Sequence, residues 1–305
     1  MHPAAQPGSP TFIMIQYNPK AWFSFIFQFH KADTFRRLLP VMVCIAIYCG
    51  LVELLEVSYF HLSDLSSIRH VSVVHTLLGL ALSMLLVFRT NTAYDRWWEA
   101  RKLWGSLVNS SRNLAIQLAV LLPDPADQAF FRAALGYFPV ALKNHLRAAP
   151  VEALPTPCTG LELNPAGHVP NQVALAILQR LVRVGMPTDR LLLVNADLRN
   201  FAEVCGACER IRNTPIPFSY SVCLKKFIFI YVMTMPISYS VTLGWLVVPV
   251  VVLVFYALAS LELIAEEIEN PFGTDPNDLP LEDLCATIER SVNEILPGQP
   301  PRKQV

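Results

Sequence analysis

Apolar positions in this chain gather into three long uncharged blocks, separated and followed by polar sequence with a helical period. The first block runs over 38–52 and reaches 59 if Glu53 and Glu56 lie at an outer interface. The second covers 71–88. Each is near the length of one helical membrane crossing, about 20 residues. The third, 227–261, is 35 residues long, too long for one crossing and short for two complete ones. Pro236, Gly244 and Pro249 interrupt it, which predicts a hairpin of two broken helices. Freed backbone groups at membrane depth must be satisfied by protein or by a water-filled cavity, and that suits a channel wall. Four spans are expected, at 38–59, 71–90, 221–242 and 245–266.

The second block passes without a break into a polar stretch carrying Arg89, Asp95, Arg96, Glu99, Arg101 and Lys102. One continuous helix is therefore expected to leave the bilayer and enter water. Leu80, Met84 and Phe88 recur at i, i+4 and i+8 along it, which stacks them on one face. An apolar stripe that opens onto charged residues suits a hydrophobic pore constriction. Packing against neighbouring helices is the other reading of the same spacing.

The region 89–219 is too polar to span. Its period predicts helices over 94–118, 129–147 (crossed by Pro139), 172–184 and 191–212, with a proline-rich loop at 149–172. No alternating strand pattern occurs. The expected architecture is all-α, one unit over 1–305, with 91–219 and 267–305 as a helical cytosolic part. Residues 1–19 read as a flexible tail without a signal peptide. The aromatic segment 20–37 reads as lying along the membrane interface, with packing under the bundle as the alternative.

Composition agrees with a membrane protein. The chain is 53% hydrophobic, with mean hydropathy +0.40. Formal net charge is zero, so nothing points to nucleic acid. Arg36 and Arg37, the cluster over 89–102, and Lys225 with Lys226 flank the blocks on one side, whereas 61–70 offers only Arg69. The positive-inside rule places both termini in the cytoplasm, in a multi-pass protein of the cell membrane.

Signs of an enzyme are thin. Cys205 and Cys208 form a CxxC inside a helical segment, with no second pair and no nearby histidine to complete a site. No metal, no cofactor and no catalytic residue is expected. His75 lies within the second block, and two readings stand: a functional ionisable group, or a neutral ring bonded to a neighbouring helix. Thr76 lies on the stripe beside it. The acidic run Glu262, Glu266, Glu267, Glu269, Asp275, Asp278, Glu282 and Asp283 reads as a solvated helix end plus a cap.

FRTNTAYDRWWEARKLWG (88–105) resembles the signature of bestrophin-type ion channels in their bacterial and plant branch. Three more segments agree in order: GACERIRNTPIPFSY (206–220), the apolar hairpin after it, and ENPFGTDPNDLPLEDLC (269–285). The resemblance extends over roughly 20–295 and implies a homopentamer around one central pore. It implies a neck of three apolar residues per subunit, which fall on Leu80, Met84 and Phe88. It implies a second, cytosolic aperture, placed at Leu191 with Leu192 as the alternative. Where animal members carry consecutive carboxylates in a calcium clasp, this chain keeps only Asp275 and Asp278, split by Pro276. Calcium prefers six to eight oxygen ligands, so calcium activation is not expected. The favoured reading is a channel for monovalent ions, chloride first, with Arg89 raising the positive potential at the cytosolic mouth. Sodium or potassium conduction and a non-conducting membrane scaffold are the alternatives.

Overall fold

The computed structural model describes residues 33–57, 66–155, 158 and 163–296. The expected tail, residues 20–32 of the aromatic segment, the end of the first span and most of the connection after it lie outside the described residues. Among those described there are helices and turns and no strand. The helices are α1 (Asp33–Leu55), α2 (Ser66–Leu121), α3 (Pro125–Arg147), α4 (Val169–Arg183), α5 (Thr188–Asn213), α6 (Phe218–Leu243), α7 (Val247–Glu269) and α8 (Leu281–Ile295). The fold is all-α, as the periodicity implies.

Helix α2 is continuous over 56 residues and carries both the second apolar block and the polar stretch after it. No proline interrupts it. Its Gly79 answers to a close approach: a Cβ there would stand 2.6 Å from the Tyr231 hydroxyl of α6.

The hairpin departs from the expectation of broken helices. Pro236 lies inside α6 without ending it. The chain turns at Gly244, in a left-handed conformation with φ +52, through a short 3-10 turn, Gly244–Leu246. Pro249 falls in the first turn of α7, where the missing N–H has no intrahelical partner to lose. Pro139 likewise sits within α3, which starts at Pro125, earlier than its period suggested. Asp124 caps it, its side chain accepting from Ala126 N.

Three helical stretches among the described residues are long and apolar enough to cross a membrane: Thr34–Leu55, Ser72–Leu121 and Phe218–Glu269. The last contains α6, the turn and α7.

The chain divides into two compact units. The apolar unit comprises α1, α2 up to Arg96, and Pro215–Glu269. Its core joins Ile45 and Cys49 of α1, Leu82 and Leu86 of α2, Ile228 and Val232 of α6, and Val251 and Phe255 of α7. The polar unit comprises Trp97–Thr214 and the described residues after Glu269. Its core joins Trp104, Leu107, Leu114 and Leu118 of α2 with Phe131, Leu135 and Phe138 of α3, Ile177 of α4, Phe201 of α5 and Ile288 and Val292 of α8. Each such side chain contributes about 1.5–3 kcal/mol by leaving water.

Candidate ion pathway

In the apolar unit, α2 has two unlike faces. His75, Leu82, Leu86, Arg89 and Ala93 are buried against the rest of the unit. Leu80, Met84 and Phe88 are turned away from it, 70%, 59% and 53% exposed. Bonds to α6 hold this orientation. Tyr220 donates its hydroxyl to Leu85 O at 3.0 Å, and the His75 ring stacks on Tyr231 with centroids 4.1 Å apart. The three stripe residues therefore project a contiguous apolar strip away from the rest of the apolar unit.

Arg89 does not share that strip, contrary to the expectation that it stands at a channel mouth. It is 1% exposed. Its Nη2 donates to Glu269 Oε2 at 2.7 Å, and its Nε lies 3.4 Å from Glu262 Oε2. Arg96 Nε donates to Glu269 O at 3.1 Å, and Ile216 N donates to Glu269 Oε1 at 2.8 Å. The end of α7 is thus a hub for two arginines of α2. The physical reason is rotation. One residue beyond Phe88 turns the side chain about 100° around the helix, onto the buried face. A partial signal for this pairing lay in the sequence: Glu262 and Glu269 are seven residues apart, two helical turns, so both face the same way from α7.

His75 is buried as well. It stacks on Tyr231 and meets Tyr239 edge-on at 5.5 Å, so it packs inside the subunit and away from the strip. Thr76 is exposed and continues the strip one turn before Leu80. Its hydroxyl donates to Ser72 O at 2.8 Å and lies 3.4 Å from the Tyr239 hydroxyl.

In the polar unit, the first turn of α5 carries both aperture candidates. Leu191 leans on the core, whereas Leu192 is 67% exposed.

The segment that matches the calcium clasp closes on itself. Asp278 Oδ2 accepts from Asp275 N at 2.7 Å. The same oxygen would lie 2.6 Å from a Cβ at position 273, so Gly273 is what admits it. Trp97 Nε1 donates to Asn277 O at 3.0 Å, and Arg147 Nε donates to Phe272 O at 3.0 Å. Arg147 also pairs with Glu282. Helix α8, not singled out by sequence, follows directly. Its Leu281, Cys285, Ile288 and Val292 form a buried stripe, so part of the acidic run belongs to an amphipathic helix packed on the core.

Cys205 and Cys208 are buried in α5. Burial pushes the Cys205 thiol up to about 12 and the Cys208 thiol higher still, so neither is a thiolate nucleophile at neutral pH. The expectation that no histidine lies near them is overturned. His168, which caps α4, brings Nε2 to 3.9 Å from Cys205 Sγ. Packing of α4 against α5 creates this proximity across a separation of 37 residues, which spacing along the chain does not reveal. Both His168 and His145 lie against Glu209. Burial raises the Glu209 carboxyl, but the two histidine hydrogen bonds outweigh it and hold the group below its ordinary value.

Comparison with known proteins agrees with this architecture. The family described as bacterial/fungal bestrophin protein matches residues 14–294. A voltage-dependent anion channel-forming protein of Nostoc sp. is 36% identical over 90% of this chain and 92% of its own length. One of Mesorhizobium japonicum is 33% identical over 93% of both chains, and one of Escherichia coli K12 is 36% identical over 70% of this chain and 73% of its own. A crystal structure of a Klebsiella pneumoniae bestrophin homologue, carrying one substitution, superposes with TM-score 0.74. It has 28% identity and covers 86% of this chain and 99% of that one. The all-helical chain, with its membrane-length helices, belongs to the bacterial and fungal bestrophin family.

Proposed function

We propose that the protein is an anion channel of the cell membrane, built as a homopentamer. The observation that carries this reading is the strip formed by Leu80, Met84 and Phe88. It is turned outward, while the opposite face of α2 is occupied by its own subunit. One subunit has no wall to set opposite that strip, whereas a closed ring of copies makes three apolar collars of it. Narrow apolar collars gate by dewetting. Relatives described as anion channel-forming proteins supply the sign of the ion. Phe88 can offer its ring edge, the positive part of the quadrupole, to a passing anion. Chloride is the favoured ion because weakly hydrated ions lose least in a dry neck.

Four crossings complete the reading: α1, the first part of α2, α6 and α7. Both termini then lie in the cytoplasm, by the arginine and lysine pattern. Leu192, and next to it Leu191, form the cytosolic aperture. Activation does not require calcium, because Asp278 is committed to its own turn.

A second reading has one observation in its favour. Arg89 is neutralised by Glu262 and Glu269, which removes the positive charge expected at the neck and leaves the exposed Asp95 two turns below Phe88. That favours cations. Purified protein in planar bilayers under a KCl gradient separates the two. Reversal near the chloride equilibrium potential supports the anion channel, and reversal near the potassium potential overturns it. Native mass spectrometry of the same sample should give five copies.

A further inference from the structure

Three parts of the polar unit, distant in sequence, converge on one carboxylate. His145 stands in the last turn of α3, His168 caps α4, and Glu209 lies on α5. Each imidazole Nε2 is 2.7 Å from the same oxygen, Glu209 Oε1. The three donor atoms lie within 4.8 Å of one another. The two rings lie side by side at a tilt of 41°, with centroids 4.4 Å apart. One turn before Glu209, Cys205 Sγ lies 3.9 Å from His168 Nε2. All three side chains of the trio are partly open to solvent, so an ion has a way in.

We propose that His145, His168 and Glu209 form a binding site for a borderline transition-metal dication of the zinc class, with Cys205 as the nearest further donor. The donor set decides the class. Two imidazole nitrogens and a carboxylate, with a thiol beside them, suit zinc. Magnesium and calcium prefer shells made of oxygen. A bound ion would join the end of α3, the start of α4 and the second half of α5 at one point.

The present contacts are hydrogen-bond lengths. Ligands around tetrahedral zinc stand about 3.3 Å apart, given metal–ligand bonds of about 2.0–2.1 Å. The carboxylate must therefore withdraw by roughly half an ångström or present its other oxygen. A proton must also move. His168 Nδ1 accepts from Asn171 N at 3.2 Å, as the cap of α4, so its neutral ring carries hydrogen on Nε2. Coordination through Nε2 shifts that hydrogen to Nδ1 and gives up the cap bond. Metal loading thus loosens the first turn of α4 while fixing the ring. If Cys205 joins, its thiol proton passes to solvent.

The test uses the full chain, purified in detergent and stripped with a chelator. Zinc chloride is titrated in competition with a chromophoric zinc chelator. The expected result is one zinc per chain at sub-micromolar affinity, unaffected by millimolar magnesium or calcium. His145→Ala and His168→Ala should each weaken binding by at least about 100-fold. Glu209→Gln keeps an oxygen acceptor for both rings, so it preserves the fold while weakening zinc, and it serves if a histidine variant fails to fold. Zinc should also raise Tm and speed hydrogen exchange at the Asn171 amide in the wild type only. Failure to retain stoichiometric zinc, or equal zinc affinity in wild type and Glu209→Gln, would overturn the proposal.

Discussion

The two halves of α2 share one helix and one period but leave very different shares of their apolar residues outside. Beyond Arg96, Trp104, Leu107, Leu114 and Leu118 are fully buried within their own unit. Before it, Leu77, Leu80, Met84, Val87 and Phe88 stay exposed, and what is buried includes His75 and Arg89. A soluble unit hides apolar surface from water. A membrane unit has no water to hide it from, and keeps its inner face for groups that lipid solvates poorly. The halves therefore differ in how much apolar surface they leave outside, although Leu82 and Leu86 are buried in the first and Ser110 and Ser111 in the second. The first half presents a continuous outward apolar strip, whereas the second half exposes only Trp98, Ile116 and Val120 among its large apolar residues.

Matched substitutions break this comparison most sharply. Phe138→Ala in the polar unit removes a buried ring that packs at a tilt against Phe201, centroids 4.5 Å apart, and should destabilise by about 3–5 kcal/mol. Phe88→Ala should change the stability of the subunit by less than about 1 kcal/mol. Denaturation of both variants in detergent checks this, and similar losses would place Phe88 in a core.

Arg89→Met tests the inner face. It strands the buried Glu262 and the partly buried Glu269 without their guanidinium and should cost about 3–5 kcal/mol, with loss of assembled protein on size-exclusion chromatography. An assembled variant of unchanged Tm would mean that Arg89 is free to act on ions. Gly79→Ala is milder. Its methyl meets the Tyr231 hydroxyl, so a loss of about 1–3 kcal/mol is expected, partly recovered by Tyr231→Phe. Equal losses with and without the tyrosine hydroxyl would remove the close approach as the reason for this glycine.

How far these pairings could be read in advance differs by region. Uncharged runs of membrane length and a proline-free stretch over 66–121 make α1, α2, α6 and α7 legible, because they depend on neighbours along the chain. The stripe of Leu80, Met84 and Phe88 is legible for the same reason. The partners of Arg89 were encoded only as the seven-residue spacing of Glu262 and Glu269 on α7. Helix α8 was hidden by its acids, although 281, 285, 288 and 292 keep a helical stripe. The His145, His168 and Glu209 cluster depends wholly on the packing of three helices and has no local signal.

The smallest expected effect is acid dependence at the start of α8. Burial raises the Glu282 carboxyl, but Arg147 outweighs this and holds it below its ordinary value. A depressed folded value means that the pair stabilises above the unfolded carboxyl pKa, about 4.3, and loses this as pH falls through the folded value. The side chain is half exposed, so the contribution is below about 1 kcal/mol. The Tm gap between wild type and Glu282→Gln should be present at neutral pH and close on acidification below pH 4. A gap that widens would reverse the sign.

The central claim is that the outward strip of α2 is the neck of a pore. Single-channel conductance of the Leu80→Ala, Met84→Ala, Phe88→Ala triple variant tests it most directly, on protein of unchanged oligomeric mass and Tm. Wider, wetter collars predict a larger conductance than wild type. An assembled triple variant that conducts as the wild type does would contradict the claim.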